Sequence, residues 1–451
     1  MSDVKRLADP NILRHAVLDF RQMSTFVENP LIFERGEGVH LWDIHGKHYY
    51  DGLAGIFVVA VGHGNRRVIE AIKAQLDRLA FPPPLHGTNV PLIELTDLLV
   101  RLMPGDLSTV KLLSTGSEAT EIAMKVSRQY WKQAGKPTKY KIISRYYAYH
   151  GATLGAIAAG GTPKLRIPFE PLPAGFIHVP TVHCFRCPMG RSYPECGVFC
   201  AEYLRHVIEM EGPDTVAAVI LEPIGNTGGI LVPPPEYLPA IRSICDAYDV
   251  HLIFDEMITG AGRTGQMFAC ETFGVTPDIL CLGKGLSSGY APLSATVWSE
   301  RIQKAFWGPE EAGVEFGDGH TFASNPVSAA AGLASLQEII ERDLPANARA
   351  MGERLQAHLK AMGEKYGIFG EIRGKGLLWG VEFARDPRTK ERFSVPIGKL
   401  IGLEAQRRGL ITRYDPDWIA LAPPLVVTAE ELDAMCAILD ESIGVVLDQV
   451  E

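Results

Sequence analysis

The sequence predicts an α/β protein built on a mainly parallel sheet, with a smaller α+β unit beside it. Three observations carry this. Short, largely apolar runs at residues 110–113, 141–144, 217–221, 250–254 and 278–282 are each bounded by turn or charged residues, as buried parallel strands are. Helical segments lie between these runs, which gives the alternation of a parallel α/β sheet. From about residue 325 the texture changes to a long helical stretch followed by isolated strands.

Residues 9–27 read as an N-terminal helical arm, and residues 31–33 as a short apolar run. Residues 39–44 and 47–51 flank a His45-Gly46 turn and read as a hairpin. Glycines 52, 55, 62 and 64 punctuate a loop that carries Ile56, Phe57 and Val58. Val68, Ile69, Ala71, Ile72 and Leu76 make residues 67–79 an amphipathic helix, and a second helix follows Pro82-Pro83-Pro84 over residues 91–102.

The strand at 110–113 opens through Ser114-Thr115-Gly116-Ser117 into a long helix. That order makes a ready anion site, because free N–H groups and the positive helix end favour a phosphate. It also fits a plain cap, with Ser114 or Ser117 satisfying the helix end. The strand at 141–144 leads to Tyr147-Ala148-Tyr149-His150-Gly151, where an aromatic beside a glycine can stack on a flat ring or pack in the core. Residues 217–221 are the most apolar strand and end at Glu222-Pro223, and a helix over 237–248 follows. Past residue 325, a helical region reaches residue 366, strands follow at 377–383 and 419–423, and Thr428-Ala429-Glu430-Glu431 caps a last helix.

The chemistry concentrates between residues 250 and 292. One apolar run ends in Asp255-Glu256, and a second ends in Gly283-Lys284-Gly285. Ligands of such sheets sit outside the carboxyl ends of the strands, so Asp255 and Lys284 are both delivered to the ligand edge. Pyridoxal phosphate needs this pair: a lysine that holds it as a Schiff base, and a carboxylate that keeps its ring nitrogen protonated. A buried ion pair without catalytic work is the other reading. Two patterns in the stretch mislead. Gly260-Ala261-Gly262-Arg263-Thr264-Gly265 with Asp278 mimics a dinucleotide fingerprint, but Asp278 precedes a strand instead of ending one. Gly285-Leu286-Ser287-Ser288-Gly289 mimics a hydrolase elbow, but it runs into Tyr290-Ala291-Pro292, which is not helical.

The 451 residues suffice for a large core and two or three domains. With 46% hydrophobic and 22% charged residues, the chain is ordinary globular material, and a net charge of −9 argues against a nucleic-acid partner. The longest apolar run, near residues 56–61, is too short for a bilayer span. No secretory h-region follows Met1, so the expected location is the cytoplasm. Eight cysteines do not make a disulfide scaffold, but Cys184, Cys187, Cys196 and Cys200 cluster beside His183. That spacing suits a structural zinc, a disulfide or free thiols in a surface insertion, and no metal is assigned to it.

These segments together resemble the class III, or ω-, aminotransferases, which depend on pyridoxal phosphate. The resemblance runs from about residue 30 to residue 442. It rests on Asp255-Glu256-Met257-Ile258-Thr259-Gly260-Ala261-Gly262-Arg263-Thr264-Gly265, then Pro277-Asp278-Ile279 and Gly283-Lys284-Gly285, with 29 residues from carboxylate to lysine. Ser117-Glu118-Ala119, Tyr149-His150-Gly151 and Glu222-Pro223-Ile224 fall in the same order.

The resemblance implies the pyridoxal-phosphate-dependent transferase fold type I. A large cofactor-binding domain over residues 61–330 would hold a mainly parallel seven-stranded sheet, with a cysteine-rich insertion near 183–200. Residues 1–60 (arm and hairpin) and 331–451 would form the smaller α+β domain. It further implies that Lys284 carries the cofactor and shuttles a proton, and that Asp255 pairs with the ring nitrogen. Gly116 and Ser117 would hold the phosphate, Tyr149 and Met257 the two ring faces, and Glu222 would lie near the phenolic side. Gly319-His320-Thr321-Phe322-Ala323-Ser324-Asn325-Pro326 is similar to the segment whose threonine reaches the neighbouring subunit's phosphate, which makes Thr321 part of a homodimeric site, in a dimer or tetramer. Arg413, in Gly409-Leu410-Ile411-Thr412-Arg413, matches the mobile arginine that binds substrate carboxylates, and Phe57 stands where relatives often have tryptophan. The expected activity moves an amino group from an ω-amino acid or primary amine to pyruvate or another 2-oxo acid. A racemase, epimerase or aminomutase on the same fold is the alternative.

Overall fold

The computed structural model describes residues 4–450. In chain order its strands are β1 Phe33–Glu37, β2 His40–Asp43, β3 His48–Asp51, β4 Leu107–Leu113, β5 Lys141–Arg145, β6 Phe176–Val179, β7 Val216–Leu221 and β8 His251–Asp255. These are followed by β9 Ile279–Leu282, β10 Ser294–Ser299, β11 Phe369–Lys375, β12 Leu378–Phe383, β13 Leu410–Ile411, β14 Arg413–Asp415 and β15 Trp418–Leu421. They form a seven-stranded sheet, β4-β10-β9-β8-β7-β5-β6, and two four-stranded sheets, β1-β2-β3-β13 and β11-β12-β15-β14.

The large sheet is parallel from β9 through β6, and β10 alone runs antiparallel to both of its neighbours. Both faces are buried, so its central strands read as continuous apolar runs. Alternate residues still separate. Leu252, Phe254, Leu280 and Leu282 join one core cluster, while Ile253, Ile279 and Cys281 join another with Ile122 and Val126 of the helix Gly116–Gln133. The period of two in strand side chains therefore sends Asp255 to the face that this helix covers.

The hairpin β2–β3 forms about the His45-Gly46 turn as expected, and β13 extends its sheet by pairing parallel to β3. The helix Ala429–Val450 begins with the expected capping box, in which Glu431 N–H donates to Thr428 Oγ1 at 3.3 Å and Thr428 N–H to Glu431 Oε2 at 2.8 Å.

Four expectations need correction or completion. The N-terminal arm is not one helix but two short ones, Pro10–Leu13 and Met23–Glu28, with the left-handed Phe20 between them. The helical region after residue 325 is broken at Asp343, which is left-handed and caps the second helix, Leu344–Tyr366, through Ala346 N–H. The strands β6 and β10 escape the sequence pattern, because Phe176-Ile177-His178-Val179 is short and Ser294-Ala295-Thr296-Val297-Trp298-Ser299 mixes polar residues into a fully buried strand. The apolar run at residues 31–33 leads into a strand the sequence pattern does not mark: β1 begins at Phe33 and runs through polar residues. No helix among the described residues is long and apolar enough to cross a membrane.

Candidate active site

Asp255 closes β8, and Lys284 follows β9, the adjacent strand. Asp255 is buried and its two oxygens are oriented separately. Met257 N–H donates to Oδ1 at 3.1 Å, and His150 Nδ1 lies 2.8 Å from Oδ2. His150 is itself buried, its Nε2 has no partner among the described residues, and its carbonyl accepts the Thr120 hydroxyl at 2.6 Å. A carboxylate only accepts, so the proton of this contact belongs to His150 Nδ1.

Lys284 opens a short 3-10 turn at φ 45, a left-handed conformation that costs a non-glycine residue about 1–2 kcal/mol. Hydrogen bonds from Leu286 N–H to the Gly283 carbonyl (2.9 Å) and from Ser288 N–H to that of Gly285 (3.2 Å) hold the turn. Burial pulls the Lys284 amine below its usual range; the Asp255 and Glu222 carboxylates oppose this, and Arg413 adds to it. The flanking glycines have a different use from a ligand's approach. A Cβ on Gly283 would sit 2.6 Å from Met257 Sδ, and one on Gly285 would sit 2.9 Å from Ala261 Cβ, so they admit protein side chains.

The phosphate candidate lies at the end of β4, where the helix Gly116–Gln133 begins. Thr115, and neither Ser114 nor Ser117, is its cap: Thr115 Oγ1 accepts Glu118 N–H at 3.2 Å, and Glu118 Oε2 accepts the N–H groups of Ser114 and Thr115 at 2.9 Å. Among the described residues nothing accepts from the N–H groups of Gly116 and Ser117. Two free donors at the positive end of a long helix suit a phosphate. Ser117 Oγ also accepts Ala152 N–H at 2.9 Å, which ties this cup to the segment after His150.

Around these groups lie the remaining candidates. The Met257 sulfur rests against Gly283 and Gly116, between the lysine turn and the cup. Glu222 is buried, with Oε1 accepting Asn226 N–H at 3.3 Å and Oε2 unpartnered among the described residues, and burial pushes its carboxyl up. Burial also raises the Tyr149 hydroxyl; Asp19 and Asp255 add to that, while Arg413 opposes it. Arg413, on β14, faces two rings, with its guanidinium carbon 5.9 Å from the centre of Phe57 and 5.4 Å from that of Trp418. Burial lowers it, and Asp415, Glu222 and Tyr149 pull the other way. Thr321 stands apart: it is exposed, between His320, which bonds Glu118 and Asp318, and the exposed ring of Phe322.

Pattern reading passed over three residues. His150 sits inside the quoted Tyr149-His150-Gly151, where the aromatic draws the attention. Arg145 ends β5 buried and donates through Nη2 to the Glu222 carbonyl at 2.5 Å, and a charged strand-end residue was the available signal. Asp19, in the arm, acts only through the fold and had no signal.

The two misleading patterns resolve as structure. Asp278 pairs with Arg242 at 2.9 Å and Arg301 at 3.1 Å and accepts Leu252 N–H, while Lys284-Gly285-Leu286 makes a single 3-10 turn. The clustered cysteines are free thiols that line one cavity with His183. Among the described residues the one group of three potential ligand atoms within 4.8 Å of one another is His183, Glu371 and Glu382, so the thiols do not converge to ligand spacing. Arg373 already bonds both of those carboxylates (2.5 and 2.8 Å) and Arg186 bonds Glu382 (2.5 Å), so two guanidinium groups supply the charge a cation would bring.

The comparisons with known proteins agree with this arrangement. The chain matches the family described as Aminotransferase class-III over residues 23–443. It is 42% identical over 434 residues to a probable aminotransferase of Mycobacterium tuberculosis, covering 94% of this chain and 92% of that one. It is 37% identical to the taurine–pyruvate aminotransferase of Bilophila wadsworthia, covering 92% of each. Among solved structures, the omega transaminase of Pseudomonas jessenii in complex with PMP superposes with a TM-score of 0.94 at 34% identity, covering 98% of each chain. The chain belongs to the class III aminotransferases, enzymes of pyridoxal-phosphate-dependent fold type I. The residues present fit that cofactor: two free helix-end donors for a phosphate, a buried carboxylate held by a histidine, and a lysine whose amine burial favours neutral.

Proposed function

We propose that this enzyme moves the amino group of an ω-amino acid or a primary amine to pyruvate or another 2-oxo acid, acting as a homodimer in the cytoplasm. The observation that carries the reading is Arg413, a mostly buried guanidinium that meets two aromatic faces and forms no ion pair among the described residues. A buried cation without a carboxylate is costly unless a ligand supplies one. With Phe57 and Trp418 beside it, the same pocket offers an apolar wall to a neutral amine. The relative that acts on taurine and pyruvate, and the omega transaminase structure, lend support.

Pyridoxal phosphate, when bound, would supply an electron sink for the electron pair left as the donor gives up a proton. The chain's own residues do the rest. Gly116 and Ser117 N–H groups would bind the phosphate, with Thr321 of a second copy as a further donor. Asp255, aimed by His150, would hold a proton on the ring nitrogen. Tyr149 and Met257 would pack the ring faces, and Glu222 would stand on the phenolic side. Lys284 Nζ, kept neutral by burial, takes a proton and returns it. The exposed rings of Phe81 and Phe322, packed edge to face beside Thr321, suit burial against that second copy. We also propose the division into residues 61–330 and a smaller unit of 1–60 with 331–451, since one small sheet pairs β1, β2 and β3 from the first end of the chain with β13 from the second.

The test is a donor panel with pyruvate, read as alanine formed per keto acid consumed, with Lys284→Ala as the inactive control. Stoichiometric amino transfer to pyruvate supports the reading. Isomerisation of a donor with no keto acid consumed would replace it with a racemase or mutase.

A further inference from the structure

The loop that carries Phe57 into the pocket is strained, and a buried carboxylate holds it from behind. Within four consecutive residues, Ala54 (φ 50), Gly55 (φ 67) and Phe57 (φ 63) are left-handed, and two of them carry side chains that disfavour it. Such a turn persists only where the surroundings determine it. Here they do so through Asp51, the last residue of β3, which is 0% exposed. Its Oδ1 accepts the N–H groups of Leu53 (3.2 Å) and Gly55 (3.0 Å), and its Oδ2 accepts Gly55 N–H (2.8 Å) and lies 2.8 Å from His63 Nε2.

His63 is a fixed partner. Its backbone exchanges two 2.9 Å hydrogen bonds with Gly38, and its ring lies over Gly36, where a Cβ would come within 2.9 Å of it. Asp51 is also in register with the chain that leads to Arg413. Its Cα is paired with that of Ile411 across β3 and β13, two residues before Arg413. The same loop is tied to the lysine turn, since Val61 N–H donates to Ser288 Oγ at 2.8 Å. One carboxylate therefore lies between the turn that carries Phe57 and the strands that lead to Arg413.

We propose that Asp51 and His63 are a positioning pair that sets Phe57 against Arg413, and so fixes which amine side chains the pocket admits. This rests on the reading of Phe57 and Arg413 as pocket walls. Neither residue is a catalytic residue, and both act through Phe57. Removing the histidine's donor leaves Asp51 Oδ2 with Gly55 N–H alone, and the turn relaxes toward unstrained backbone. Phe57 then moves, which changes discrimination between amines of different bulk while Lys284, Asp255 and the phosphate cup stay in place.

The experiment compares holoenzyme of the wild type, His63→Phe and His63→Gln in the amine half-reaction, with no keto acid present. Two neutral donors are used, 2-aminopropane and 1-phenylethylamine, so that the carboxylate affinity of Arg413 does not enter. His63→Phe is expected to shift the ratio of kcat/KM for the two donors by about tenfold, the scale set by small changes in an apolar pocket. His63→Gln restores a side-chain N–H and keeps the wild-type ratio. Asp51→Asn, which sets an amide donor against Gly55 N–H, shifts the ratio by a separate route and serves if His63→Phe does not fold. A ratio unchanged by His63→Phe and Asp51→Asn, or shifted equally by His63→Gln, overturns the proposal. If the wild type accepts no amine at all, the proposed function fails instead, and crystal structures decide the pair: residues 53–58 displaced in His63→Phe and not in His63→Gln support it, and an unmoved turn in both overturns it.

Discussion

His150 Nδ1 stands 2.8 Å from Asp255 Oδ2, and neither side chain is more than 3% exposed. In a site this dry, one hydrogen bond decides which way the carboxylate points, because water cannot substitute for it. The histidine thus helps to fix how Asp255 is aimed.

Asp255→Asn should therefore keep the cofactor on Lys284, yet lower the rate of the amine half-reaction by about 10²-fold or more, through loss of the held ring proton. His150→Asn, which leaves the carboxylate but loosens its aim, should cost less than Asp255→Asn. Stopped-flow rates with one donor check both, and near-native turnover in Asp255→Asn would remove the assigned role.

Arg413→Ala should weaken use of pyruvate by roughly 10- to 200-fold, since a charge-assisted contact to a carboxylate is worth about 1.5–3 kcal/mol. The half-reaction with a neutral amine should change far less. Measuring the two half-reactions separately decides it: an equal fall in both makes the arginine structural.

Glu382 is held at a pKa of about 2, against an ordinary 4.5; burial opposes this, and the bonds to His183 and Arg373 outweigh it. Its folded pKa is depressed, so its contribution is present above pH ~4.5 and is lost as pH falls toward 2, up to about 3 kcal/mol in all. Glu382→Gln should then unfold at lower denaturant than the wild type at pH 7, with the gap narrowing steadily below pH ~4.5. A gap independent of pH would show that the network does not depend on this charge.

Gly352 lies in the helix Leu344–Tyr366, where replacing glycine by alanine normally gains up to about 1 kcal/mol. Here a Cβ would sit 2.0 Å from the Gly376 carbonyl oxygen, and backbone cannot step aside cheaply. Overpacking, at about 1–3 kcal/mol, should win, so Gly352→Ala lowers the thermal midpoint. Gly363→Ala in the same helix meets only side chains, the Phe369 ring at 3.3 Å and Ile372 Cδ1 at 3.5 Å, and serves as the contrast.

Much of the large sheet is legible in the sequence because β7, β8 and β9 are buried on both faces and leave unbroken apolar runs. Asp255 and Lys284 are legible for the same reason, as charges that interrupt those runs at the ligand edge. The antiparallel strand β10 is not, because Ser294 and Thr296 bond to the carbonyls of Thr115 and Ala119, and that satisfaction is invisible until the helix is in place. Nor is Thr115 as the cap, since three hydroxyl residues near one helix start compete on equal terms. The Asp51–His63 contact spans a loop whose strained shape has no periodicity, so only its glycines announce it.

Lys284, Asp255, Glu222 and the cup all stand on the seven-stranded sheet, whereas Phe57 follows a strand of one small sheet and Arg413 lies on a strand of the other. No strand is shared between the part that holds the proposed chemistry and the part proposed to select the amine. On that proposal, descendants of such a chain can exchange one diet for another by mutating the two four-stranded sheets, while the machinery they inherit in the seven-stranded one is left alone.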